Sequence, residues 1–309
     1  MDKFLLGIDI GGTAIKVGQF TKEGTLLEKW DIPTNKADSG KHILSEIAEA
    51  IQKRYDLSMI EGIGFGVPGP VSDGVVLNGV NLGWGQTYLA EEFYRYLPNR
   101  DITIKVSNDA NVACAGEVFQ GNAKGYKNVV FITLGTGVGG GILINGQIVD
   151  GYNGVGGELG HLVVDKVHQF ACNCGKKGCL ETVTSATGFV NLAKAKLEQS
   201  KEPSLLRQYD NFSAKRVFDM AKHGDKIALE TVDEACDYLA YGMSLVAMSI
   251  NPELFVIGGG VSNAGNFLID AIRRHFFKYV YPFITEQKIV IASLGNDAGI
   301  YGAAYLVRQ

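Results

Sequence analysis

Gly7-Ile8-Asp9-Ile10-Gly11-Gly12-Thr13 and Gly135-Thr136-Gly137-Val138-Gly139-Gly140-Gly141 each set a run of small residues between two apolar runs. Without a Cβ in the way, backbone N–H groups at such a turn can close on phosphate oxygens. Thr13 and Thr136 add hydroxyl donors. Asp9 would stand beside the phosphates, where a carboxylate can orient Mg²⁺ or its water shell. The second turn fits G-x-G-x-x-G through Gly135, Gly137 and Gly140. A dinucleotide site would need a helix next, and a strand pattern follows instead. One such turn is explained by ordinary hairpin glycines. Two matched turns are better explained by phosphate binding, and a third segment strengthens that reading: Val256-Ile257-Gly258-Gly259-Gly260-Val261-Ser262. Bare backbone after a buried strand would let a flat adenine ring come close, while Ser262 would cap the helix that follows.

A carboxylate stands in Ser107-Asn108-Asp109-Ala110-Asn111 at a strand-to-helix junction. Two readings of Asp109 stand level on spacing alone. It could be a helix cap, or it could accept a hydroxyl proton during phosphoryl transfer from a rigid strand end. Cys172, Cys174 and Cys179 fall within eight residues. In a reducing compartment such clustering favours a metal over disulfides. Cys114 and Cys236 lie in helical patterns and read as core.

These groups need elements to hold them. Lys3 to Asp9 reads as a strand, and Ala14 to Phe20 returns after the first glycine turn. The turn Lys22-Glu23-Gly24 leads to a third strand. Asp38-Ser39 precedes Ile43, Leu44, Ile47, Ala48 and Ile51, a helical stripe that these two residues would cap. Gly62 to Val67 and Ile102 to Val106 read as buried strands, the first ending in Pro68-Gly69. A helix is expected from about Ala110 to Phe119. The plan then restarts: a strand from Asn128 to Leu134, the turn Gly135–Gly140, a return over Gly141 to Ile144, and a hairpin turn at Asn145-Gly146. A long helix from Lys226 to Ile250, a buried strand from Leu254 to Ile257 and a last helix from Ala298 to Val307 complete it. Two copies of one α/β unit would create a cleft at the carboxyl ends of their strands. The expected division is residues 1–114 with the returning helix 298–309 in a small domain, and 115–297 in a large one.

Composition excludes several classes. The 309 residues are 46% hydrophobic, with 40 glycines but 7 prolines and a formal charge of −4. That supports large cores and argues against disorder. No basic block invites nucleic acid or an anionic membrane. The apolar run after Met1-Asp2-Lys3 is too short for a signal peptide and no run reaches membrane-spanning length, so a cytoplasmic location is expected.

The motifs together resemble the ROK family (repressors, open reading frames, kinases). The resemblance rests on Asp9-Ile-Gly11-Gly12-Thr13, Asn108-Asp109-Ala110-Asn111, Leu134–Gly141, Glu158-Leu-Gly160-His161, Cys172-Asn-Cys174-Gly175-Lys-Lys-Gly178-Cys179-Leu-Glu181 and Gly299–Ala304. It is strongest to the bacterial glucokinase branch. It implies a two-domain actin-like ATPase fold of the hexokinase and RNase H type, with the active site in a cleft between the domains. It implies ATP with Mg²⁺ as donor, a hexose as acceptor, a zinc ion near the sugar and a homodimer. By position Asp109 matches the catalytic base. Asn108, Glu158, His161 and Glu181 match residues that hold sugar hydroxyls, Asn81 in Asn81-Leu82-Gly83-Trp84 matches a further contact, and Pro68-Gly69 matches a turn beside the sugar. Ala14 departs from the longer polar residue of many relatives and is given no phosphate role beyond its backbone.

His161, Cys172, Cys174 and Cys179 supply one imidazole and three thiolates, a standard structural zinc set with no open position. One ring nitrogen of His161 could bind zinc while the other faces the sugar. His168 reads as a surface residue. Other acceptors of the family remain open: mannose, fructose, allose, N-acetylmannosamine, N-acetylglucosamine or a β-glucoside. A non-catalytic, sugar-responsive regulator is disfavoured, because the first strand starts at Lys3 with no helix-turn-helix ahead of it and Asp109 is retained.

Overall fold

β1 (Phe4–Ile10) is buried along nearly its whole length, as a central strand covered on both faces must be. The computed structural model describes residues 3–98 and 101–308. Gly11–Thr13 turns β1 into the antiparallel β2 (Ala14–Phe20), which pairs in turn with β3 (Leu26–Pro33). β3 alternates half-buried and exposed residues, as an edge strand with one wet face does. β4 (Ile60–Val67) runs parallel to β1. β5 (Val71–Ser72) and β6 (Val75–Val76) form a small hairpin, and β7 (Thr103–Asn108) runs parallel to β4. The sheet order is β3-β2-β1-β4-β7.

The helix Ile43–Arg54 buries Ile43, Leu44, Ile47, Ala48 and Ile51, the stripe expected from sequence. Its cap differs from expectation. His42 occupies the N-cap without a side-chain bond to the helix's N–H groups, and Asp38 and Ser39 take left-handed φ of 51° and 59°. They shape the turn before the helix, too early in the chain to reach its first N–H groups.

The helix Ala298–Leu306 crosses this sheet at backbone contact distance. A Cβ on Gly7 would run into the Ile300 carbonyl, and one on Gly64 into the Ala303 carbonyl. Glycine on the strands is what lets the helix lie flat. The helix Asp109–Gln120 carries the buried Glu117. Its carboxylate accepts from the backbone of Asn122, Ser293 and Leu294 at 2.8–2.9 Å, which fastens the approach to the last helix.

The second sheet repeats the order. Its strands are β8 (Val129–Leu134), β9 (Val138–Ile144), β10 (Gln147–Ile148), β11 (Leu254–Gly258) and β12 (Lys288–Ile291), arranged β10-β9-β8-β11-β12. β9 starts at Val138, so only Gly135–Gly137 form the turn; Gly139 and Gly140 belong to the strand, not to the turn as expected. Asn145 and Gly146 both take positive φ, 52° and 78°, which is the twist a two-residue hairpin asks for. The long helix Lys226–Ile250 begins at the Asp225 cap and ends at Asn251 in the left-handed conformation. It packs on the helix Asn266–Tyr279.

Packing density divides the chain into two units. One holds residues up to Lys127, Gly141–Gly157 and Ser293 onward; the other holds Asn128–Gly140 and Glu158–Ala292. The boundary expected at residue 115 falls inside the helix Asp109–Gln120. That helix stays whole with the first unit, because its residues Val112 and Gly116 are in backbone contact with Gly302. No helix among the described residues is long and apolar enough to cross a membrane.

Candidate active site

The first unit assembles the groups around the first glycine turn. Gly11 N–H donates to Ala14 O at 3.0 Å, which closes the turn. Thr34 laces it to the chain beyond β3: its N–H donates to Thr13 O at 3.0 Å and its hydroxyl to Gly11 O at 2.7 Å. Asp9 is the last residue but one of β1 and faces Lys16 across the hairpin. A Cβ on Gly299 would stand 2.5 Å from Asp9 Oδ2, so the carboxylate lies against the first turn of the helix Ala298–Leu306. Burial pushes its pKa up to about 6, with Lys16 opposing and the Asp109 charge adding to the rise. Asp9 and Asp109 therefore share one electrostatic neighbourhood. Lys16 Nζ donates to Asn296 O at 2.7 Å.

Asn108 is the N-cap, not Asp109. The Asn108 Oδ1 accepts from Ala110 N–H at 2.9 Å and Asn111 N–H at 3.4 Å, while its Nδ2 donates to Gly69 O at 2.9 Å. The latter bond ties β7 to the Pro68-Gly69 turn, where Gly69 has φ 103°. The Asn108 amide thus retains one N–H for a ligand. Asp109 is exposed at the first helical position and accepts from Ala110 N–H at 2.7 Å. Asn81 is exposed in the single turn Val80–Leu82. Trp84 fixes that loop by donating its indole N–H to Gly40 O at 3.1 Å.

The second unit assembles the rest. Gly135 N–H donates to Gly137 O at 3.0 Å. A Cβ on Gly137 would meet Glu181 Oε2 at 2.6 Å, and Val138 N–H donates to the same oxygen at 3.4 Å. The other Glu181 oxygen accepts from Cys172 Sγ at 3.0 Å. The glycine turn, Glu181 and the cysteine segment are consequently one contiguous structure. Gly258 ends β11, and Gly259, with φ 80°, presses against the Leu134 backbone beside the turn. Gly260 faces open space. Ser262 does not cap the next helix; its hydroxyl donates back to Gly259 O at 2.7 Å, and Gly265 takes the cap position instead.

His161, Cys172, Cys174 and Cys179 bring one ligand atom each within 4.8 Å of one another. His161 Nδ1 lies 3.6 Å from Cys172 Sγ, and Cys174 Sγ lies 3.6 Å from Cys179 Sγ. Sulfurs bound tetrahedrally at about 2.3 Å from one zinc are separated by roughly this much, so the donor set fits the ion in type, number and spacing. Burial pushes the Cys172 and Cys179 thiols up, so both need a cation beside them to become thiolates. The opposite ring atom, His161 Nε2, lies 3.9 Å from Glu158 Oε2. Glu158 is exposed.

Three residues escaped sequence reasoning. Asp165 is fully buried, and its carboxylate accepts from the N–H groups of Val167, His168 and Gln169, each at 2.9 Å. It shapes the loop between His161 and Cys172, and nothing local marks it. His168 was expected on the surface; it is 11% exposed and paired with Glu234 at 2.7 Å, stacked on Phe170. Lys16 was missed, although a three-residue hairpin turn places it opposite Asp9.

Residues 5–309 match the ROK family, and the chain belongs to that family. It is 43% identical to a glucokinase of Halalkalibacterium halodurans over all of this chain and 96% of the relative. It is 34% identical to a glucokinase of Thermotoga maritima over 99% and 97% of the two chains. A solved ROK family glucokinase from Streptomyces griseus, in complex with glucose and AMPPNP, superposes with a TM-score of 0.75 at 32% identity and 99% coverage of each chain. With the two like-ordered sheets, this identifies the fold as the actin-like ATPase type.

Proposed function

We propose that this chain transfers the γ-phosphoryl group of ATP to glucose at O6, with Asp109 as the base. Family membership and full-length similarity to several glucokinases support the donor and the acceptor. The observation that carries the base is the division of labour at β7. Asn108 takes the helix cap, so the exposed Asp109 carboxylate is not needed for capping.

Asp109 accepts the O6 proton as that oxygen attacks the γ-phosphorus; the bond to the β-phosphate oxygen breaks and ADP leaves. Asn81, Asn108, Glu158, His161 and Glu181 hold the sugar hydroxyls. An analogue lacking one of them would leave a polar group unpaired, which is where discrimination arises. Amides at Gly11–Thr13 and Gly135–Gly137 receive phosphate oxygens, and Gly258–Gly260 lies against the nucleotide. Asp9 would orient Mg²⁺ or its water shell, and the ion would supply positive charge to the phosphates when bound. His161, Cys172, Cys174 and Cys179 would hold a zinc ion that fixes the loop carrying Glu158 and Glu181, with no open position for a part in the transfer. A coupled assay over a panel of sugars at fixed ATP tests the acceptor. Glucose should give the highest kcat/KM, and a tenfold preference for an N-acetylhexosamine or fructose would overturn the choice.

A further inference from the structure

Lys36 lies over the first glycine turn. A Cβ on Gly12 would meet Lys36 Nζ at 3.5 Å, Lys36 Cε at 4.0 Å and the Asn81 carbonyl oxygen at 3.8 Å. The ammonium therefore sits where the phosphate turn and the Asn81 loop come together, and all three belong to the first unit. The position is built. Thr34 is bound to the turn through Thr13 O and Gly11 O. Asn35 is held at 2.7 Å by Glu46 and caps Ala37 N–H at 3.1 Å. On the far side Gly40 O receives the Trp84 indole. Lys36 is thus clamped between two fixed points while its side chain is exposed.

No carboxylate among the described residues pairs with Lys36. Asp38, two residues on, pairs with His42 at 3.3 Å instead. An unpaired ammonium beside glycine amides has three N–H donors and a full charge to offer an anion. We propose that Lys36 binds the phosphoryl group in transfer, holding its equatorial oxygens from the sugar side of the Gly11–Thr13 turn. Charge spreads over those oxygens as the γ-phosphoryl group moves, and a cation there stabilises the transition state more than either bound substrate. Lys36 forms and breaks no bond. The sugar proton still goes to Asp109 and the leaving electrons to ADP.

This rests on the sugar-kinase reading above, and one experiment separates the two. Parent, Lys36→Met and Lys36→Arg are assayed with ATP and the best sugar of the panel, and sugar binding is measured separately by tryptophan fluorescence. Lys36→Met should lower kcat by at least ~tenfold, since one charge-stabilising donor is commonly worth about 10²–10³ and this one is exposed. Its sugar affinity should stay within about twofold of the parent. Lys36→Arg, which keeps the charge, should recover part of the rate, and product inhibition by the sugar phosphate should weaken in Lys36→Met. The side chain is exposed and makes no bond to the other described residues, so both variants should fold with the parent's melting temperature. A Lys36→Met rate within threefold of an active parent overturns the inference alone, as does a parallel loss of sugar affinity. A parent that phosphorylates no sugar overturns the function and the inference together.

Discussion

The two glycine turns share one local design and have opposite neighbours. Gly11–Thr13 joins β1 to β2 and Gly135–Gly137 joins β8 to β9, each as a strand, a bare turn and a returning strand. Around the first turn lie charges that can change partner: Asp9, raised toward neutrality by burial, the exposed Asp109, and Lys16 and Lys36. Around the second lies a carboxylate already committed on both sides, with Glu181 held by Val138 N–H and Cys172 Sγ. The same backbone device thus serves charge handling in one unit and fixed positioning in the other. Sequence pattern specifies the device, and the elements packed behind it specify the use.

The largest test of that contrast compares the two carboxylates. Asp109→Asn should lower kcat by about 10²–10⁴, the usual cost of removing a general base. Glu181→Gln should mainly raise the KM for sugar and leave most of kcat. Steady-state kinetics on both variants checks this. If Glu181→Gln loses turnover as Asp109→Asn does, the two turns do not differ in kind.

A second test uses the cost of the charge at Asp9. An unfolded aspartate titrates at 3.8 and this one at about 6. The folded state therefore holds the proton more tightly, and the stability of the neutral form is lost as pH rises from about 4 through 6. At about 1.4 kcal/mol per unit, the loss is about 3 kcal/mol at pH 8. Asp9→Asn cannot ionise and escapes it. Nucleotide-free Asp9→Asn should melt roughly 5–10 °C above the parent at pH 8, with the gap closing near pH 4, while its turnover falls. Equal melting temperatures at pH 8 would show that burial does not strain this carboxylate.

The second turn has its own weak point, the cysteine segment behind Glu181. Cys174 is the exposed member of the set. Cys174→Ser should lose near-stoichiometric zinc by metal analysis and raise the KM for sugar by about tenfold, because the loop that carries Glu158 and Glu181 is then no longer tied down by four ligands. A strong chelator should reproduce the effect on the parent. Parent protein that carries no zinc, or a variant with an unchanged KM, would sever the cluster from the sugar contacts.

What could be read from residues alone follows the range of the forces involved. The longer strands β1 to β4, β7 to β9 and β11, the stripe on the helix Ile43–Arg54, the full span Lys226–Ile250 and the Asn145-Gly146 turn are local and were legible, whereas the short β5, β6, β10 and β12 were not. Cys₃His was legible because all four ligands lie in one short segment. Asp109 was not, since choosing between cap and base required knowing that the Asn108 amide reaches Ala110 and Asn111. Lys36 left no signal, because its meaning depends on a turn twenty-odd residues earlier and on Trp84 far later. Asp165 and Glu117 look like any surface acid in sequence; only the folded chain brings three N–H groups to each.

The smallest test makes the same change in both turns. A methyl group on Gly137 would stand 2.6 Å from Glu181 Oε2, inside any tolerable contact, whereas on Gly12 its nearest neighbour is Lys36 Nζ at 3.5 Å. Gly137→Ala must push Glu181 off Val138 N–H, so its sugar KM should rise by about five- to tenfold, one hydrogen bond to a charged group being worth about 1.5 kcal/mol or more. Gly12→Ala meets only the end of a flexible side chain. It should leave sugar KM unchanged and lower kcat about two- to fivefold, because a methyl in ordinary contact with the ammonium takes room beside Lys36 that a phosphoryl oxygen would use. Measuring kcat and KM for both separates a turn that positions from a turn that handles charge. If the two alanines give the same split between kcat and KM, the neighbours do not set the role, and the shared backbone alone explains both turns.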